Sequence, residues 1–461
     1  MNEQYIVACE IGSSKVKGAV GTVDESGTLN VLAVAEEPVL DSVRYGVIRK
    51  IEEVSNRLGS VIQKLESSSG VAPRKITGIY VALGGQSLAS CVRETETSFA
   101  QDTEIDNGMI RDLKERVRAG GVPDREIVAI LSREFTVNSL PEKNPVGTFA
   151  HDLKAELNVV YCRPQIKRNL AMVIEERLGL KVNGYIVRPL AQADMVLTED
   201  EKHLGAMLVD FGAETTTVSI YKNGVLRYLA TIPMGSRNIT RDITATNIIE
   251  KRAEEIKKTV GNVEPQPENV SFDGLDNTEV NKYVSARVAE IITNIIEQLS
   301  FAGISGDELP GGIVVVGLGA KLKGFNSLLS LHSKMKVRQG TIAPAIRLTD
   351  SSIPYYESVD VVSILSFATR FPEKECVIMP EPQPAEEDNP DDGGDDINVS
   401  RIGSDFGSIE SDDDAVKDPH VRSGSGTKSP HTPLITRLRD KLFDMLNDKS
   451  DGDDDTDEQK N

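Results

Sequence analysis

The sequence predicts an α/β fold of two related mixed-sheet lobes, followed by a long acidic tail. Three observations carry this expectation. A strand–polar turn–strand unit occurs twice, about 200 residues apart, which marks a duplicated lobe rather than a short-period solenoid. Apolar stripes of helical spacing follow both units. Near Val377 the composition changes abruptly to Pro, Gly, Asp, Glu and Ser. With 461 residues, 39% hydrophobic and 27% charged, the chain is too long for one ordinary core.

The first unit begins with the strand-like run Tyr5 to Cys9, which enters the turn Glu10-Ile11-Gly12-Ser13-Ser14-Lys15. Val16 to Val20 forms the next strand, Asp24 to Gly27 supplies turn chemistry, and Leu29 to Ala35 completes a β-meander. Ile51, Val54, Leu58, Val61, Ile62 and Leu65 then recur at helical spacing, and Ile76 to Leu83 reads as a strand. In the second unit, Gly205 to Val209 is a buried strand and Asp210 to Thr215 its turn. Thr216 to Tyr221 follows, Lys222-Asn223-Gly224 is a type I′ hairpin turn, and Val225 to Ile232 ends the second meander. Val284, Val288, Ile291, Ile292, Ile295, Ile296 and Leu299 lie on one helical face, which is core packing. A third glycine-rich segment, Gly311 to Ala320, reads as an apolar strand ending in the small-residue turn Gly317-Leu318-Gly319-Ala320.

Composition excludes several function classes. Cys9, Cys91, Cys162 and Cys376 form neither a CxxC pair nor a Cys/His cluster, so no zinc site or disulfide framework is expected. No run of eighteen apolar residues exists to span a membrane, and the N-terminus lacks the pattern of a secretory signal. Residues 381–461 hold 23 acidic against nine basic residues, so −14 of the net −20 sits in the tail. That repulsion disfavours nucleic acid as a partner. The linker 377–431 is too polar to fold. After Pro433, Leu434, Ile435, Leu438, Leu442, Phe443, Met445 and Leu446 fall at helical spacing with Arg437, Arg439 and Lys441 among them. A short amphipathic helix over 432–448 is expected, with an acidic end at 449–461. Helix chemistry alone leaves two readings open, one lying in a membrane interface and one docking on protein.

The turns carry candidate chemistry. Gly12 lets backbone approach a phosphate, Ser13 and Ser14 offer hydroxyls and amides, and Lys15 adds a charge. In the second turn Gly212, Thr215 and Thr216 offer similar groups, and the turn Gly317, Gly319 and Ala320 would admit a flat adenine against backbone. Glu10 and Asp210, just ahead of the two tips, are candidate ligands for a Mg²⁺ ion through its water. Each motif has a plain structural alternative: an ordinary turn, a self-capping Asp, a close strand–helix contact. Their order within duplicated architecture favours nucleotide binding.

At this point the residues resemble a family. The three turns are similar to those of the actin-like ATPase superfamily, in which two phosphate loops and an adenosine loop surround an interdomain site. Arg188 to Asp194 with Val196 to Lys202, Asn238 to Ile243, Ala253 to Lys258, and Gly312 to Gly324 resemble the bacterial cell-division protein FtsA more closely. The resemblance spans roughly residues 5 to 370. It implies that Glu254, Lys257 and Lys258 lie beside ribose and adenine, and that ATP with Mg is the cofactor. It also implies an actin-like body divided as 1A (1–82), an FtsA-type insert 1C (83–161), a return to 1A (162–200), 2A (201–233), 2B (234–299), and a return to 2A and 1A (300–376). Implied partners are the C-terminal peptide of FtsZ, further copies of the chain in a filament, later division proteins, and the membrane surface through the terminal helix. The implied place is the cytoplasmic face of the cell membrane at the midcell division site.

Some positions depart from the family pattern. Glu10 stands where the first loop usually has Asp, and Ala213 and Glu214 replace glycines of the second loop. These changes lead us to expect nucleotide binding with weak or absent turnover. Two alternatives share the fold: an FtsA-like pilus-assembly adaptor and a small-molecule kinase. The long linker and terminal helix favour division over the pilus, and nothing outside the turns stands out as a kinase base.

Overall fold

A computed structural model describes residues 4–380, apart from 40, 265–270, 273–274, 351, 355 and 373. The terminal-helix segment 432–448 and most of the linker lie outside the described residues. The strands used below are β1 (Gln4–Ile11), β2 (Lys15–Val23), β3 (Leu29–Pro38), β4 (Gly78–Leu83), β5 (Ala89–Glu104), β6 (Glu126–Val137), β7 (Leu140–Glu142) and β8 (Phe149–Cys162). They continue as β9 (Lys181–Val187), β10 (Ala206–Phe211), β11 (Thr216–Lys222), β12 (Val225–Ile232), β13 (Ile313–Val316), β14 (Val337–Gln339) and β15 (Arg347–Leu348). The helices are α1 (Ile51–Glu66), α2 (Asn107–Gly120), α3 (Arg188–Val196), α4 (Ser236–Ile243), α5 (Glu250–Val260), α6 (Asn277–Ala302) and α7 (Val359–Ala368).

The duplication is visible in the pairing. In the first lobe, β1, β2 and β3 form an antiparallel meander, and β4 runs parallel to β1. In the second lobe, β10, β11 and β12 form the equivalent meander, and β13 runs parallel to β10. The first sheet has the order β9-β4-β1-β2-β3-β15. Helix α1 packs on it through Val54, Leu58, Val61, Ile62 and Leu65, all buried. It comes so close that a Cβ at Gly18 of β2 would lie 2.7 Å from Val61, which is why the strand is glycine there. The type I′ turn is confirmed by the positive φ of both Asn223 and Gly224.

The strands β10 and β13 are buried on both faces. Ala206, Leu208, Val314 and Val316 belong to the first lobe's core, whereas Met207, Val209, Ile313 and Val315 belong to the second's. This accounts for their unbroken apolar sequence, which shows no alternation. The second core is completed by α6, whose Val284, Val288, Ile291, Ile292 and Ile295 are buried. One sheet therefore serves as a wall common to both cores. That gives the second polar turn, at its end, a rigid support.

Between β4 and β9 the chain inserts β5, α2, β6, β7 and β8 around a separate small core that includes Leu113, Phe135, Leu153 and Leu157. Their sheet joins that of the second lobe, giving the order β7-β6-β8-β5-β12-β11-β10-β13-β14. The junction is narrow. Ala89 pairs with Ala230, the Leu229 amide donates to Ser90 Oγ at 2.9 Å, and Asn158 donates to the Leu226 carbonyl.

The entrance to this insert is tied to the first turn. Gly46 donates its amide to Ser13 Oγ at 2.8 Å, and Gln86 donates to the Tyr45 carbonyl at 2.9 Å. Gly46 has φ +74°, and a Cβ there would lie 2.5 Å from Gly85 Cα. Gly46→Ala combines a left-handed side-chain penalty with a backbone collision, so it should lower the unfolding free energy by about 3 kcal/mol. Chemical denaturation measures this; a loss below about 1 kcal/mol would show that the junction yields instead.

Candidate functional site

The two turns are built alike. At the first tip Glu10 pairs with Lys17, Ile11 with Val16, and the Gly12 amide donates to the Lys15 carbonyl at 2.9 Å. At the second Asp210 pairs with Thr217, Phe211 with Thr216, and the Gly212 amide donates to the Thr215 carbonyl at 2.9 Å. The amides of Ser13, Ser14, Ala213 and Glu214 donate to no acceptor among the described residues. Such orphan N–H groups at a tight turn suit an anion. The tips therefore fit a polyphosphate.

The carboxylates ahead of the tips are already engaged. Arg188, the first residue of α3, reaches Glu10 Oε1 at 2.6 Å and Asp210 Oδ2 at 2.7 Å. Its side chain is 13% exposed, so the pairs form in a low-dielectric interior. A cation at a helix N-terminus opposes the helix dipole, and the two carboxylates offset that. Burial works against the charge on Arg188, yet Asp210 and Glu10 outweigh it and hold the guanidinium charged. Burial also pushes the Glu10 carboxyl up to about 7, with Arg188 pulling the other way. The Arg188 Nη2–Asp210 contact lacks hydrogen-bond alignment, which leaves Asp210 Oδ2 without a hydrogen-bond partner among the described residues, and Arg188 Nε has none there either. As they stand, Glu10 and Asp210 do not fit a divalent cation, because a guanidinium spans them. Next to this group Lys17 of β2 pairs with Asp360 Oδ2 of α7 at 2.8 Å.

Glu214 does not confront the phosphate position alone. Its residue is 1% exposed, and it accepts from Arg44 Nη1 at 3.0 Å, Arg237 Nη1 at 3.1 Å, Arg241 Nη2 at 3.0 Å and the Tyr45 amide at 2.7 Å. Arg44 and Tyr45 follow β3 in the first lobe, whereas Arg237 and Arg241 lie on α4 of the second. Arg237 also donates to the Ser13 carbonyl at 2.9 Å. The carboxylate thus latches the lobes together beside both tips. Gly235 permits this: a Cβ there would lie 2.5 Å from the Ala213 carbonyl, and the next two amides bond Gly212 and Ala213.

The remaining candidates take varied positions. Lys15 pairs with Glu36 on the adjacent strand, and Thr216 Oγ1 donates to the Met234 carbonyl at 2.8 Å. Thr215 and Ala320 are buried. Gly317 has φ +88°, and a Cβ at Gly319 would lie 2.8 Å from the Phe211 ring, so strand–turn packing by itself requires small residues here. Lys257 donates to Glu254 at 2.7 Å, to Thr240 Oγ1 at 3.0 Å and to the Ser236 carbonyl at 3.1 Å, pinning α5 to α4. Lys258 meets Glu254 at 3.3 Å and is largely exposed. Burial pushes the Lys257 ammonium down; for Glu254 burial acts upward, but Lys257 outweighs it and holds the carboxyl low. A cavity of about 950 Å³ lies elsewhere, between Leu32–Glu36 and Thr349–Pro354, and none of the turn residues lines it.

Sequence reasoning did not single out Arg188, Lys17, Asp360, Arg44, Arg237 or Arg241 as site residues. For Lys17 and Asp360 a signal existed: each is a lone charge inside an apolar run, of opposite sign to the other. Arg188 is likewise a lone charge, between Val187 and Pro189, but no comparable signal marked Arg44, Arg237 or Arg241, which stand in polar segments. Removing the latch carboxylate leaves three guanidinium groups facing one another. Glu214→Ala should lower the unfolding free energy by about 3–5 kcal/mol, read by denaturant titration; a loss below about 1 kcal/mol would show that Glu214 does not hold the lobes.

Comparisons with known proteins agree with this architecture. The family profile "Cell division protein FtsA" matches residues 207–359, and "SHS2 domain inserted in FTSA" matches 85–161. The cell division protein FtsA of Porphyromonas gingivalis is 32% identical over 374 residues, covering 77% of this chain and 76% of that protein. The FtsA of Pseudomonas aeruginosa is 29% identical over 362 residues, covering 75% and 85% respectively. Among solved structures, the PilM–PilN type IV pilus biogenesis complex is similar with a TM-score of 0.59 at 15% identity, covering 80% of this chain and 99% of that one. That likeness shows a shared fold alone. Duplicated meanders, the insert between β4 and β9, and a 32% identical relative lead to one conclusion: this chain has the actin-like fold and belongs to the cell division protein FtsA family.

Proposed function

We propose that this chain is a nucleotide-regulated division adaptor. It binds ATP at the two hairpin tips, assembles into filaments with its own copies, and tethers FtsZ, through the C-terminal peptide of FtsZ, to the inner face of the cytoplasmic membrane. There it recruits later division proteins at midcell. One observation carries the nucleotide reading: two equivalent tips, each with amides that have no acceptor among the described residues, are joined across the lobes by Arg237 and Glu214. The residues that would hold phosphate are Gly12 to Ser14 and Gly212 to Thr215, with Gly317 to Ala320 toward the base. A bound nucleotide supplies negative charge that competes with Glu214 for Arg44, Arg237 and Arg241, so its entry opens the latch. Because the carboxylates beside the tips among the described residues, Glu10, Asp210 and Glu214, are all engaged by arginines, turnover is weak or absent.

Membrane attachment rests on the segment 432–448, whose apolar face would bury in the interface while Arg437, Arg439 and Lys441 meet headgroups. One such helix binds reversibly, and filament formation multiplies it into a stable anchor. Two measurements test the proposal. Equilibrium titration should find ATP binding, and the absence of any affinity for ATP or ADP overturns the nucleotide part. Deleting 432–461 should release the full-length fusion from the membrane fraction and disperse its midcell band; retention of both overturns the anchor.

A further inference from the structure

We infer that this site binds nucleoside polyphosphate without a protein-held divalent cation, the Arg188 guanidinium standing where such a cation would be. The inference rests on the nucleotide reading above. Glu10 and Asp210 occupy equivalent positions, each two residues before a tip glycine, one from each lobe. A hydrated cation placed between them would neutralise both carboxylates and bind the lobes together. Arg188 already does both, with one terminal nitrogen on each carboxylate at 2.6 and 2.7 Å.

Three constraints keep Arg188 there. It is fixed at the start of α3, directly after β9, with Pro189 following to set the helical turn. Gly84 lies against it, since a Cβ at that position would be 3.6 Å from the guanidinium carbon. Withdrawing it would leave two buried carboxylates unpaired, which is strongly unfavourable. A divalent ion added beside the guanidinium would meet a like charge at close range in a poorly screened interior. The neighbouring carboxylate, Asp360, is held by Lys17. Among the described residues no group of three or more His, Cys, Asp or Glu side chains is placed to hold a metal ion.

The protein meanwhile supplies cationic groups of its own. Arg188 Nε is buried and has no hydrogen-bond acceptor among the described residues. Arg44, Arg237 and Arg241 share the single buried carboxylate of Glu214; the other carboxylates in reach, Asp41 and Glu250, are 67% and 51% exposed and screened by solvent. A guanidinium is also suited to bidentate contact with phosphate oxygens.

The test titrates the full-length protein with ATP in excess magnesium and again in EDTA. The expected result is an affinity in EDTA that is equal to, or higher than, that in magnesium, within about threefold. Arg188→Gln should convert the site to one that binds ATP at least about tenfold more tightly with magnesium, whereas Arg188→Lys should stay magnesium-independent. Wild-type binding that tightens more than about threefold with magnesium overturns the inference and leaves the nucleotide reading standing. Failure to bind ATP in either condition overturns the nucleotide reading itself, and this inference with it. The wild-type titrations decide the matter even where Arg188→Gln does not fold.

Discussion

The contact on which the rest of the site depends is the buried ion triad of Arg188 with Glu10 and Asp210. Its three members come from the start of one helix and the ends of two strands, and those strands belong to the two halves of the duplication. Buried charge of this kind is expensive to assemble and adds little net stability, but removing one member is strongly unfavourable. The triad therefore acts mainly on geometry. It fixes where the strand ends lie, and with them the two tips that follow two residues later.

Around that fixed point the architecture divides its labour. The sheet containing β10 and β13 is a wall common to both cores, so the second tip is carried on backbone that is packed on each side. The first tip is carried by β1 and β2 and clamped from outside by Gly46. The Glu214 latch then closes over both, using arginines from each lobe. An ion pair with partly exposed arginines can exchange partners with an incoming anion, while the deeper triad cannot do so readily. This contrast separates a permanent structural element from one that can respond to a ligand.

Much of the frame was legible in the sequence because periodicity and turn chemistry are local. The stripe from Ile51 to Leu65 is a helix since its apolar residues face one sheet. Lys222-Asn223-Gly224 is a hairpin since two residues there must take positive φ. The equivalence of the two polar turns was also readable, since glycine and hydroxyl residues follow an apolar run in both. Less legible was the state of the carboxylates beside them. Glu10 and Asp210 looked free for a hydrated cation, and the cations nearest Glu10 in sequence, Lys15 and Lys17, pair elsewhere, with Glu36 and Asp360. Their partner is 178 residues from Glu10. Glu214 looked like a stray negative charge near phosphate, and its four donors come from segments as far away as residue 44.

By itself, then, the sequence determined the duplicated α/β frame, the three small-residue turns and the polar character of the tail, since these follow from spacing and composition. Tertiary structure alone decided which charges meet. Coulomb pairing in a dry interior is set by distance in space, and only folding brings Arg188 between two strand ends or three arginines onto one carboxylate. The same reason explains Lys17 and Asp360. Each is an anomaly within its own apolar segment, and the pair acquires its meaning when β2 and α7 pack side by side.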